Sequence, residues 1–261
     1  MSKKYHIFKK ISSKNNKLPW YDKDLDLSLN ITIVVARYNE DLNWINKEPF
    51  NRYPIICYNK GNNNNFKILS PHKVINLPNI GKCDHTYLYH IINNYDTLSE
   101  YIIFLPGSND MHYKLLKSQN LINHIEYYKE LVNIGTFTES IKKKFNNFKL
   151  DNYKTTYLNN YLLNNKKELQ KSELRPFGLW YNKHFNNLEV KFHTWWGIFA
   201  ISREIIHNHP KEYYEKFIEE FKNYPNPEVG HYIERSWFAI FNPFKCRLIN
   251  FQFDMNKSIY L

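Results

Sequence analysis

Residues 31–36 read ITIVVA, a short run with no charge, and all but the threonine are apolar. A run this brief is typical of a strand buried in a sheet rather than of a helix. It stops abruptly at Arg37-Tyr38-Asn39-Glu40-Asp41, which puts charged, aromatic and amide groups where a core strand leaves its sheet. Two readings stand side by side. The five residues start the next helix, with Asn39 as its cap, or they floor a ligand site beyond the strand's carboxyl end. Arg37 can hold a phosphate or carboxylate bidentately. Tyr38 can stack on a base, and Glu40 or Asp41 can accept from ribose or sugar hydroxyls.

The same punctuation recurs. Residues 53–58 (YPIICY) run into a turn at 59–61 and a low-complexity loop at 62–65. Residues 73–77 predict a third strand, and 101–105 a fourth, stopped by Pro106-Gly107. Between them Tyr87, Leu88, Ile91, Ile92 and Tyr95 fall on one helical face, with Asp84 placed to cap the helix. His85, Tyr89 and Asn93 lie beside that face. Strands alternating with helical segments predict an α/β fold with a mostly parallel central sheet flanked by helices. Beyond it, 114–131 reads as helix, 140–174 as a helical insertion, 193–206 as a strand from Gly197 into a helix, and 211–221 as helix. Residues 247–253 read as a tail strand. Residues 1–30 form a polar arm, and 31–261 a single domain with no internal repeat and no dividing linker.

A length of 261 residues and 43% hydrophobic content suffice for a substantial core. The polar balance is mostly Lys and Asn, and the aromatics are mostly Tyr and Phe. These residues have A/T-rich codons, as expected of a low-GC genome such as that of a large DNA virus or a parasite. A formal net charge of +11 therefore reads as dispersed lysines rather than a phosphate track. The densest groups are only Lys142-Lys143-Lys144 and Lys166-Lys167, and no nucleic-acid-binding motif accompanies them, so nucleic acid is disfavoured as a partner. Cys57, Cys83 and Cys246 make neither a disulfide framework nor a metal knuckle. There is no signal-peptide core and no apolar run long enough to span a membrane. The expectation is a soluble intracellular protein, in the host cytoplasm if viral.

Residues 226–241 carry the densest chemistry. Pro227 suits a first helical turn, and Val229, Ile233, Trp237, Ile240 and Phe241 share one arc of the helix. Glu228, His231, Glu234 and Arg235 fall opposite, so the pattern predicts a helix that buries one face and presents two carboxylates, an imidazole and a guanidinium on the other. An ordinary solvated face accounts for the same pattern. In the loop after the fourth strand, Gly107 permits close backbone approach. Asp110 and His112 there offer a metal fewer ligands than divalent sites usually need. His85 and His90 read as a cap and an exposed residue. Trp195 and Trp196 precede a glycine and suit either a sugar platform or the core. Dinucleotide, P-loop, zinc-protease and serine-hydrolase signatures are absent.

In chain order, VVARYNEDLNWI, NKG, LPNIGKCDHTYLYHIINNYDTLSEYIIFLPG, WWGIFAISREII and NPEVGHYIERSW resemble a domain-of-unknown-function family, number 3431, with fungal, algal and large-DNA-virus members. More distantly, the opening strand followed by Y-N-E is similar to glycosyltransferases of the GT-A type. That resemblance implies a GT-A-like, Rossmann-like domain moving a sugar from a nucleotide-sugar donor to a hydroxyl on a glycan or protein acceptor. It implies Arg37, Tyr38, Asn39, Glu40, Gly107 and Arg235 at the donor, and Glu228 or Glu234 as general base with His231 beside it. His85, Trp195 and Trp196 would meet the acceptor or sugar. The D-x-D motif is replaced by Gly107-Ser108-Asn109-Asp110. A divalent cation, Mn or Mg, then rests on Asp110 and His112, or cationic side chains take its place. The rival readings are a non-catalytic glycan-binding or virion-associated protein, and a metal-assisted hydrolase using His231, Glu228 and His112. The sequence leaves the oligomeric state open.

Overall fold

A computed structural model describes residues 30–128, 133–136, 139–150, 169–186, 188–190, 192–243, 249–251 and 258–260. The polar arm, Lys166-Lys167, Cys246 and the middle of the expected insertion lie outside the described residues.

In chain order the elements are β1 (Ile31–Arg37), β2 (Ile55–Asn59), β3 (His72–Asn76), α1 (Lys82–Asn93), β4 (Tyr101–Pro106) and α2 (His112–Tyr128). There follow β5 (Asn133–Thr136), α3 (Glu139–Asn146), β6 (Leu169–Gln170), α4 (Phe177–Phe185), β7 (Phe192–His193), β8 (Phe199–Ser202), α5 (Arg203–Ile206) and α6 (Lys211–Glu219). The last are β9 (Asn226–Pro227), α7 (Glu228–Ile240), β10 (Ile249–Phe251) and β11 (Ser258–Tyr260). The central sheet has the order β3-β2-β1-β4-β8. Its first four strands are parallel, and β8 runs antiparallel to β4. Two smaller sheets, β11-β10-β5-β7 and β6-β9, lie beside it.

β1 is buried along its whole length because both faces of the sheet are covered. Side chains alternate across a strand, so Val34, Ala36, Ile102, Phe104, Phe199 and Ile201 enter one core with α1, α4, α6 and α7. Ile33, Val35, Ile103, Leu105 and Ala200 enter the other, against α2 and the 3₁₀ turn carrying Trp44 and Ile45. A one-residue slip of β1 would exchange the two sets. That is what holds its register against β2 and β4.

Three local expectations are corrected. α1 begins at Lys82 behind a left-handed Gly81, φ 57°, whose N–H donates to Tyr224 O over 2.8 Å. Asp84 therefore sits inside the first turn with its carboxyl buried and caps nothing. No helix starts at Asn39; a 3₁₀ turn begins at Asn43, whose N–H is taken by Asp41 Oδ1 at 2.9 Å. His90 is buried against Tyr58 Oη, 3.0 Å away, rather than exposed.

The largest correction concerns α7. It is buried almost all round, and Glu228, His231 and Arg235 lie inside with the apolar arc. Its polar side is roofed by Phe145, Phe148 and Trp195, whose rings lie 5.3, 4.3 and 4.9 Å from the Arg235 guanidinium carbon. Pro227 is extended and stands just before the helix rather than in its first turn.

Candidate functional site

The chain leaves β1 toward β2 and β3, then returns through α1 to β4 on the other side of β1. The crevice beyond the carboxyl ends of β1 and β4 is therefore a topological switch point, where open α/β sheets bind ligands. Because β8 is antiparallel, the turn at Trp195–Gly197 that feeds it reaches the same edge.

The loops at that edge are locked from within. Arg37 is 1% exposed. Its Nε donates to Glu40 O at 2.8 Å, Nη1 to Asn59 Oδ1 at 2.7 Å and Asn63 O at 2.8 Å, and Nη2 to Asn63 Oδ1 at 2.6 Å. The guanidinium also lies 4.3 Å from the Phe66 ring centroid. Its donors thus fasten the loops after β1 and β2 together instead of facing the crevice. Glu40 Oε2 accepts the N–H groups of Tyr38 and Asn39, at 2.6 and 3.1 Å. Asn39 Oδ1 accepts from Asn63 Nδ2 at 2.8 Å. Only glycine fits at 61, where a Cβ would lie 1.5 Å from Tyr38 O, and Gly107 lies close over the Glu40 carboxylate. Of the expected donor residues, Tyr38 and Asn39 are exposed.

Of the two carboxylates on α7, Glu228 is fully buried. Oε1 accepts from Leu150 N at 2.7 Å and Arg175 Nη2 at 2.8 Å, and Oε2 accepts from Ser172 N at 2.8 Å. It anchors the chain on either side of residues 151–168. Glu234 keeps 20% of its side chain exposed. Its Oε1 accepts from Trp196 N at 3.0 Å, and its Oε2 from Arg235 Nη1 at 3.3 Å. The Thr194 hydroxyl holds the Glu234 carbonyl. Arg235 is thus a support for Glu234, clasped by aromatic rings. His231 is buried with Nε2 3.2 Å from Asn226 Oδ1. Burial, then the charges of Lys82 and Arg235, hold its imidazole well below the usual histidine range, so it is neutral.

Around Glu234 the tertiary structure gathers residues the sequence did not single out for chemistry. Asp84 Oδ1 accepts from Trp237 Nε1 at 2.8 Å. Burial first, and then the charge of Glu234, pushes its carboxyl up. Lys60 donates to the carbonyls of Ile80 and Lys82, and burial lowers its ammonium to about 7. Lys114 Nζ donates to Ser108 Oγ at 2.7 Å, and burial lowers it as well. Lys117 lies 4.6 Å from the Trp196 ring centroid, lowered to about 8 by burial. Two pairs of left-handed residues flank the group: Gly81 and Lys82 (φ 57° and 49°), and Trp196 and Gly197 (φ 62° and 64°). They meet at Cys83, whose Sγ would be 2.8 Å from a Cβ at Gly197. Strained backbone of this kind clusters at binding and catalytic sites.

The other expected residues lie around this centre. Trp195 and Trp196 are half-buried at the rim, and Tyr113 meets Trp196 edge-on at 5.4 Å. Asp110, in the loop after β4, and His112, at the start of α2, are both exposed. Among the described residues no three His, Cys, Asp or Glu side chains converge as a metal site. His85 is half-buried between Tyr89 and Phe221 on α1's flank. The fragments NKG and GKCD held Lys60, Lys82 and Asp84 in plain view, and a lysine or acid beside a glycine at an element boundary was the available signal. Lys114 offered none, since it sits in an ordinary helical pattern.

Fold and site define a single mostly parallel α/β domain with acidic and basic side chains gathered at its switch point. Residues 33–250 match the family described as Protein of unknown function (DUF3431), and the chain belongs to that family. No curated protein matches the sequence. Among the described residues, no helix is long and apolar enough to cross a membrane.

Proposed function

We propose that this domain transfers a sugar from a nucleotide-sugar donor to a hydroxyl of a glycan or protein acceptor, with Glu234 as general base. The supporting observation is the placement of Glu234. It is a part-exposed carboxylate at the switch-point crevice, aimed by the Trp196 N–H and surrounded by cations. In the reaction the acceptor oxygen attacks the anomeric carbon as its proton passes to Glu234. The bond from that carbon to the diphosphate breaks, and the electron pair leaves on the diphosphate, where positive groups stabilise it. Neutral His231 backs the site, and Tyr38 stacks on the base. Trp195, Trp196 and Tyr113 offer aromatic faces to the acceptor. A divalent cation, Mn or Mg, would find Asp110 and His112, fewer ligands than its usual shell requires.

One rival reading has an observation in its favour. The Tyr113–Trp196 pair at the rim suits a glycan-binding protein with no catalysis. The two readings separate in one experiment. Nucleotide sugars are screened by thermal shift, and turnover is followed as released nucleoside diphosphate. A donor at a hundred times its dissociation constant stabilises the fold by about 2.7 kcal/mol. A donor that binds, with turnover lost in Glu234→Gln, supports transfer. Folded protein that binds glycans and no nucleotide sugar overturns it in favour of the binding module.

A further inference from the structure

We infer that the anionic diphosphate of the donor is held by Lys114 and Lys82, the Lys114 ammonium supplying positive charge in place of a metal ion. The inference rests on the transferase reading and adds how that site takes its ligand.

The loop after β4 is where the GT-A resemblance requires paired acids, and it supplies Asp110 alone. The nearest other acid at this edge is Glu40, whose Oε2 is committed to the N–H groups of Tyr38 and Asn39. The charges of both acids act on Lys114, together with that of Glu234. An ammonium is thus already held by Ser108 in the loop where a cation would be needed. It is 9% exposed, and its hydrogen bond to Ser108 Oγ leaves two of its three N–H donors for a ligand.

Lys82, in the first turn of α1, is the second cation acted on by the charge of Glu234. Its side chain is exposed and makes no hydrogen bond or ion pair with the described residues, and its charge acts on Glu234, Cys83 and Asp84. Lys60 grips the carbonyls of Ile80 and Lys82 from beneath, which fixes the left-handed turn that presents Lys82. The charge of Lys82 thus reaches both Glu234 and Asp84, that of Lys114 reaches Glu234 and that of Lys60 reaches Asp84, and burial drives Asp84 toward its neutral form. A buried ammonium such as that of Lys114 is costly without a counter-ion, and a diphosphate supplies one.

Inorganic pyrophosphate shares this chemistry with a nucleoside diphosphate, so the test includes both. Calorimetric titrations of pyrophosphate and of adenosine, guanosine, uridine, cytidine and thymidine diphosphates are run in excess EDTA and again with Mn²⁺. The expected result is that one nucleoside diphosphate binds in EDTA within about threefold of its affinity in Mn²⁺. Lys114→Met should then weaken it by about 10- to 100-fold, as for loss of a charged hydrogen bond. If Lys114→Met does not fold, Lys82→Ala, at an exposed and unpartnered position, carries the test with the same expected loss. Binding that requires Mn²⁺, or that survives both substitutions unchanged, overturns the lysine site and leaves the transferase reading standing. Pyrophosphate binding as tightly as every nucleotide overturns the assignment to a nucleotide donor. Folded protein that binds no nucleoside diphosphate in either condition overturns both readings.

Discussion

Trp237 donates its indole N–H to Asp84 Oδ1 over 2.8 Å, and both side chains are buried. The bond joins the last helix of the core to the first turn of α1. It also sets Glu234, one helical turn before Trp237, against Asp84. The two carboxyls are close enough for the charge of one to raise the proton affinity of the other.

Asp84→Asn tests that coupling. The amide keeps an oxygen for Trp237 and removes the charge. A carboxyl raised in the folded state binds more protons there than in the unfolded chain, so its contribution to stability falls as pH rises from the unfolded value toward the folded one. Every tenfold gain in proton affinity on folding is worth about 1.4 kcal/mol. Urea titrations should show the variant gaining on the wild type above the raised pKa and losing that advantage at pH 4. Parallel curves at both pH values would contradict the raised proton affinity of Asp84.

The two acids of α7 should behave oppositely. Glu234→Gln retains an oxygen for the Trp196 N–H, keeps donor binding, and loses about 10²- to 10⁴-fold in turnover, the usual contribution of a general base. Glu228→Ala removes the buried acceptor of Leu150 N, Ser172 N and Arg175 Nη2 and should lose about 1–3 kcal/mol for each donor left unsatisfied. Chemical unfolding read beside single-turnover rates separates them.

Arg37→Met should act through folding. Its fork serves Glu40 O, Asn59 Oδ1 and both oxygens of Asn63, and unsatisfied buried groups cost about 1–3 kcal/mol each. Arg37→Lys should recover little, because an ammonium cannot span those acceptors. Equal melting temperatures for wild type and both variants would show that the loops hold without the fork.

Gly197→Ala places a Cβ 2.8 Å from Cys83 Sγ and 3.1 Å from Tyr87 Oη at a φ of 64°. The left-handed backbone alone costs about 1–2 kcal/mol, and overpacking adds about 1–3 kcal/mol. The melting temperature should fall, and it should fall less in Gly230→Ala, where a Cβ meets nothing nearer than 3.4 Å.

Acid should unfold the protein through its buried histidines. Burial lowers His90 to about 4 and His193 to about 3, and it holds His231 well below its usual range. The unfolded chain therefore binds more protons below about pH 6.5, and stability is lost as pH falls from there toward the folded values. His90→Gln, which keeps a partner for Tyr58, should reduce proton uptake on unfolding at pH 5 by about one.

The strands were legible in the sequence because a buried parallel strand needs an unbroken apolar run, and β1, β2 and β4 each have one. The periodicity of Tyr87, Leu88, Ile91 and Ile92 marked α1 for the same reason: burial of one face imposes a spacing. The polar side of α7 misled because charge ordinarily marks solvent. Here Phe145, Phe148 and Trp195, distant in sequence, close over Arg235 and take the place of water. Arg37 was correctly placed at the carboxyl end of a core strand, but its partners lie in a loop across the neighbouring strand, and no local pattern announces them.

Local chemistry along the chain thus determined β1, β2, β4 and α1 through short-range periodicity, and their alternation indicated a mostly parallel sheet, while α4 and β5 carried no such signal. The crevice was decided by tertiary structure alone. Lys60, Asp84, Lys114 and Glu234 come from four separate elements. Only the reversal of strand order between β1 and β4 brings those elements to one edge, where burial then sets the charge each residue carries.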